Sequence, residues 1–155
     1  MLKLTKKADY GLISLKHLAL LDNGRSVSAK EIAEAYRIPA PILAKVLQKL
    51  ARHGFLVSEQ GTNGGYRLSK DPAMMTTLEV IRAIDGPIIL TNCFTEHGEC
   101  ELAGKCSVRE PLRKVHEGIL RLLDSITIHD LSEDGEQELP IPGSVPRKSF
   151  TVLHS

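Results

Sequence analysis

The sequence predicts a mainly α-helical chain with one small β-hairpin, arranged as a winged helix-turn-helix and followed by a long C-terminal helix. Three observations lead there. Between Ser28 and Leu68, two amphipathic helical segments flank a proline-marked turn and run into two strand-like stretches around Gly61-Thr62-Asn63-Gly64-Gly65. Charge is divided along the chain: residues 1–70 hold twelve Lys/Arg against five Asp/Glu, net +7, whereas residues 71–155 hold eight against fourteen, net −6. Late in the chain Leu112, Val115, Ile119, Leu122 and Ile126 recur in steps of three and four, which draws a narrow apolar seam along a helix.

Each element has its own signals. Thr5 caps a first helix running from Lys6 to about Leu21, with Ala8, Leu12, Leu15 and Ala19 on one stripe, and Asp22-Asn23-Gly24 ends it. Asp9 lies in its first turns, where a carboxylate interacts favourably with the helix dipole. Ser28 with Glu31 reads as a capping box for a helix from Ala29 to about Tyr36. Arg37-Ile38-Pro39 breaks that helix, and Pro41 suits the first turn of the next. The second helix buries Leu43, Val46, Leu47 and Leu50, turns Lys45, Gln48, Lys49 and Arg52 outward, and stops at Gly54. Phe55–Gln60 and Tyr66–Ser69 are the expected strands of the wing.

Beyond the wing, Asp71-Pro72 opens a linker, and Thr76 with Glu79 caps a helix carrying Leu78, Ile81 and Ile84 up to Gly86-Pro87. Asn92 to Lys105 is polar, glycine-containing and reads as a loop. Ser107 with Glu110 is a third capping box, starting the seam helix, which runs to about Ile126 or a little beyond. From Ser132, three prolines and a run of acidic residues predict a disordered tail. The expected divisions are a reading domain over 1–87, a cysteine loop over 88–106, a dimerisation helix over 107–131 and a tail over 132–155. No stretch approaches the roughly 20 apolar residues that span a bilayer, and no signal-peptide core is present, so no membrane role and a cytoplasmic location are expected.

Cys93, Cys100 and Cys106 stand as C-x6-C-x5-C in the polar loop. Thiolates on a loop can converge on one centre, and soft sulfur suits zinc, copper(I) or iron-sulfur. Structural zinc wants four ligands with a tight pair, and none exists here, so the wide spacing suits a cluster better. Glu96, His97, Glu99, Asp9, His116 or a residue of a second subunit could complete the set. A metal-free switch in which two thiols pair on oxidation is the competing reading. Catalysis by a cysteine with His97 as base lacks a third, orienting group, and no phosphate loop is evident, so an enzyme is not expected.

Together, LTKKADYGL, SAKEIAEAYRIP, LQKLARHGFLVSEQGTNGGYRL, TTLEVIRAIDGP and the three-cysteine loop resemble the Rrf-type winged-helix transcriptional regulators, the IscR- and NsrR-like proteins, over roughly residues 1–130. The opening looks most like the subset that regulates the SUF cluster-assembly operon. The resemblance implies a homodimer joined through the long helix, a double-stranded DNA operator, and an iron-sulfur cluster, 2Fe-2S or 4Fe-4S, whose state sets operator affinity. By position, Cys93, Cys100 and Cys106 match the cluster ligands. Arg109 stands where IscR-like members place a histidine, while Asp9 matches the aspartate of NsrR-like members, supplied by the opposite subunit. Candidate DNA contacts are Ser28 and Lys30, then Pro39, Ala40, Pro41, Lys45, Gln48 and Lys49 on the second helix, then Thr62, Asn63, Gly64, Gly65, Tyr66 and Arg67 in the wing. A repressor of cluster-assembly genes is the first expectation; a nitric-oxide-sensing repressor and a cluster-free thiol switch are the alternatives.

Overall fold

A computed structural model describes residues 4–21, 24–62, 64–89 and 108–133. The Thr5 hydroxyl accepts from the Ala8 amide at 3.1 Å and starts α1 (Lys6–Leu20). Ser28 likewise accepts from the Glu31 amide at 3.1 Å and starts α2 (Ala29–Tyr36). Only half of the expected capping box forms there. The Glu31 carboxylate turns to the Arg25 guanidinium at 2.8 Å, a charge-assisted bond that outcompetes the neutral cap amide. The break after α2 is made by Arg37 as much as by Pro39. Arg37 takes a left-handed conformation (φ 54°), and the amides of Arg37 and Ile38 both return to the Ala33 carbonyl as Ile38 is buried.

In α3 (Ala40–Arg52), Leu43, Val46, Leu47 and Leu50 are all buried, as their spacing predicts. Gly54 follows with φ 83°, a value that a side chain would oppose, and turns the chain into the wing. Strands β1 (Leu56–Glu59) and β2 (Gly65–Leu68) pair antiparallel, with Leu56 opposite Leu68 and Glu59 opposite Gly65. A third piece of chain joins them. Val27 and Tyr66 exchange backbone hydrogen bonds of 2.9 and 2.8 Å, so the segment before α2 closes the far edge of β2. Glycine at 65 permits this approach: a Cβ there would lie 2.5 Å from the Val27 carbonyl carbon and oxygen.

After a 3-10 turn (Pro72–Met74), α4 (Thr77–Asp85) begins with a complete capping box between Thr76 and Glu79. The three helices α1, α3 and α4 meet where Gly11 leaves room for Ile84, a Cβ on Gly11 falling 2.2 Å from Ile84 Cδ1 and 3.5 Å from Val46 Cγ1. Around that point Ala8, Leu15, Ile32, Leu43, Leu47, Val80 and Ile84 form one core.

The C-terminal helix ends close to the expected Ile126. Here α5 (Arg109–Ser125) has Val108 at its cap, without a side-chain hydrogen bond. The Glu110 carboxylate bonds the Arg113 guanidinium at 3.0 Å, and the expected cap Ser107 lies outside the described residues. One helix does not run on to residue 131, the end of the expected dimerisation segment. The chain breaks at Ile126-Thr127, and a capping box between Thr127 and Asp130 starts a short α6 (Ile128–Ser132). The Ile126 carbonyl accepts from the Thr77 amide at 2.8 Å and from its hydroxyl at 2.9 Å, the Ile128 amide donates to Met75 at 2.9 Å, and Ile128 is fully buried. This end therefore belongs to the core of the winged unit. No residue of α5 itself is fully buried, and Val115 in the expected seam is 51% exposed. Among the described residues no helix is long and apolar enough to cross a membrane. The expected tail, from residue 134 onward, lies outside the described residues.

Candidate nucleic-acid interface

The buried stripe of α3 leaves an outward row. Lys45, Gln48 and Arg52, spaced i, i+3, i+7, are exposed, and so are Pro39, Ala40 and Pro41 at the start of the helix. Two full positive charges and an amide with both donor and acceptor thus project from one helix face. Lys49 lies on the flank of this row rather than within it. It is half-buried, and its ammonium donates to the Ile84 carbonyl at the end of α4 at 2.7 Å. Its charge goes to α4, where the orphan carbonyls at the end of a helix attract cations.

Beside the row, a concave surface between α3 and the wing is lined by Gln48, Ala51, Arg52, Ser58, Gln60 and Tyr66. Tyr66 is held there by its two backbone bonds to Val27. Arg67, expected to reach an anionic partner, pairs across the hairpin with Glu59 at 2.6 Å, and the Ser26 hydroxyl donates to the other carboxylate oxygen. The Ser26 hydrogen bond first, then the Arg67 bond, holds the Glu59 carboxyl below the usual carboxylate range. Thr62 is exposed at the wing tip, Gly64 is half-buried, and Asn63 lies outside the described residues. The Ser28 hydroxyl is engaged as a cap, and Lys30 is exposed, 3.9 Å from Glu34. Arg52 shares the exposed face of α3 with Lys45. Its place was readable from the same three-and-four spacing, although the expected contact set stopped at Lys49.

Asp9 is exposed in the first turn of α1, and no hydrogen bond or ion pair engages its carboxylate among the described residues. Cys93, Cys100 and Cys106 fall outside the described residues, and among those described no group of three metal-ligating side chains gathers.

Residues 4–134 match the family described as "Rrf2: Iron-dependent Transcriptional regulator". The chain is 37% identical over 134 residues to the HTH-type transcriptional regulator NsrR of Geobacillus kaustophilus (strain HTA426), covering 86% of this chain and 91% of that relative. Among solved structures it is similar to CymR (YrzC), the global cysteine regulator of B. subtilis, with a TM-score of 0.71 and 30% identity over 85% of this chain and 97% of that one. It is also similar to T. potens IscR, with a TM-score of 0.69 and 28% identity over 87% and 89% of the two chains. A winged helix with a basic outward row on its second helix, and these matches over most of its length, place the chain in the Rrf2 family of DNA-binding transcriptional regulators, which are not enzymes.

Proposed function

We propose that this chain is a homodimeric repressor that binds a pseudo-palindromic operator through α3 and the wing, and that a cysteine-held iron-sulfur cluster sets its affinity. The observation that carries the DNA half is the exposed Lys45, Gln48, Arg52 row standing opposite a fully buried stripe. Lys45 and Arg52 neutralise phosphates and release counterions, and the Gln48 amide can pair with an adenine edge in the major groove. Half-sites about one helical turn, ~34 Å, apart follow from two-fold symmetry. The exposed seam of α5, with Val108 and Val115 each about half-exposed, is the surface offered to the second subunit.

For the cluster, the donor set is chemically apt. Three thiolates supply soft ligands, and the Asp9 carboxylate, unengaged among the described residues, sits on a helix that the second subunit can approach. Cys93, Cys100 and Cys106 would hold the cluster, with the partner subunit's Asp9 as fourth ligand. When bound, such a cluster supplies an iron centre sensitive to oxidants and nitric oxide. The likeness to NsrR and IscR relatives supports this reading. Cluster-assembly genes of the SUF or ISC type are its proposed targets, and the cytoplasm its proposed place of action. The 37% likeness to an NsrR also favours nitric oxide as an alternative signal.

A second reading has its own support. The 30% identical structural relative is a cysteine regulator, which favours a cluster-free switch in which two of the three thiols pair on oxidation. Anaerobic purification separates the two. Visible charge-transfer absorbance with iron and sulfide, lost in Cys106→Ala and altered in Asp9→Ala, is the result expected for the cluster regulator. A colourless, iron-free protein whose DNA binding responds to a disulfide reductant would establish the thiol switch instead.

A further inference from the structure

The first four residues at the start of α3 carry no side-chain hydrogen-bonding group. Pro39, Ala40 and Pro41 are exposed, and Ile42, at 38% exposure, is the one large apolar side chain exposed on this helix. A single exposed isoleucine is ordinary on most surfaces. Here it stands one turn before Lys45, on the helix whose outward charges are set to draw it against a polyanion. Pressing isoleucine against sugar and phosphate gains little, whereas the major groove offers one apolar group it can cover, the C5-methyl of thymine.

We propose that Ile42, flanked by Ala40 and Pro41, is a specificity-determining residue that reads a thymine methyl in each operator half-site. The inference rests on the DNA-binding reading of α3 and deepens it by naming a base. The helix then divides its readout: donors and acceptors from Lys45 onward, and an apolar contact before it. Ile42 and Gln48 are separated by about 9 Å along the axis at 1.5 Å per residue, which is about two to three base-pair steps of 3.4 Å. That separation is an upper bound, because a helix in the major groove is inclined to the DNA axis, so the thymine is expected within about three base pairs of the base paired with the Gln48 amide.

The test begins by selecting duplexes from a random pool with the full-length protein. Each thymine of the selected half-site is then replaced in turn by deoxyuridine, which removes only the methyl. Wild-type protein is expected to lose about three- to five-fold in affinity at one or two positions per half-site, the worth of one buried methyl group. Ile42→Ala is expected to bind the thymine duplex more weakly, to lose nothing further on deoxyuridine, and to keep the wild-type salt slope and melting temperature. A deoxyuridine penalty that persists in Ile42→Ala overturns the assignment to Ile42, and a half-site with no sensitive thymine overturns methyl reading altogether. In both of those cases a steep salt slope leaves DNA binding by α3 standing. A pool that yields no salt-sensitive enrichment removes the DNA reading and this inference together.

Discussion

The Lys49 ammonium and the Ile84 carbonyl are 2.7 Å apart, so α3, the proposed reading helix, is fastened by a charge to the last turn of α4. A cation bonded to the end of a helix in a partly buried setting contributes about 1–2 kcal/mol. Lys49→Met keeps the aliphatic stem and removes the charge. It is expected to lower unfolding free energy by about that amount, measured by urea titration, while leaving the salt dependence of operator binding as in wild type. A shallower salt slope in this variant would return Lys49 to the set of phosphate contacts.

Lys45 and Arg52 are expected to behave in the opposite way. Both are exposed on the outward row, and neither makes an ion pair among the described residues. Lys45→Ala and Arg52→Ala should each reduce the slope of log affinity against log salt by about one, with stability changed by less than about 0.5 kcal/mol. Fluorescence anisotropy over a salt series reads the first quantity, and thermal melting the second.

Glu59 restrains the wing's arginine, and its protonation should release it. The folded-state carboxyl titrates below the usual range because Ser26 and Arg67 bond its charged form. A depressed carboxyl contributes stability that is present above the ordinary glutamate value of about 4.3 and is lost as pH falls through the lower folded value. Glu59→Gln is therefore expected to flatten this part of the acid limb of the stability curve. It also frees Arg67, so operator binding near neutral pH should gain up to about one unit of salt slope. An unchanged slope would show that Arg67 stays away from phosphate even when unpaired.

Gly11 sits in a helix interior, where alanine is favoured by about 1 kcal/mol. Its neighbour reverses the sign: Ile84 Cδ1 would stand 2.2 Å from the added Cβ, and Ile84 is buried in the core, so its displacement disturbs the packing around it. Gly11→Ala is expected to be net destabilising by about 1–2 kcal/mol. Pairing it with Ile84→Val, which removes the offending methyl, should recover most of the loss. Additive losses in the double variant would show that the crowding lies elsewhere.

Much of this architecture was legible because its signals are local. The 43, 46, 47, 50 stripe, the Thr5 and Thr76 caps, Gly54 and the hairpin each depend on residues within a turn or two of one another, and each forms as read. What escaped the sequence depends on distant partners. Arg25 draws Glu31 from its capping box, Ile84 claims Lys49, Glu59 claims Arg67, and Val27 adds itself to the wing. The Thr127–Asp130 box is just as local, directly after the last seam residue Ile126, and went unread. Of the candidate site, the outward row was readable from periodicity. The competition of carboxylates and carbonyls for its flanking cations was not.

The hydrogen bonds joining Met75 and Thr77 to Ile126 and Ile128 have an architectural consequence. They fasten the returning chain beside the start of α4, while Lys49 and the Thr5 hydroxyl, the latter bonded to Asp85 at 2.6 and 2.8 Å, fasten its end. The chain that leaves α4 at Gly86 and returns at Ile126 is thereby held by hydrogen bonds to the two ends of one short helix. Loosening either end of α4 is therefore expected to loosen α1, α3 and the returning chain together, so that α4 works as a clasp for the whole unit.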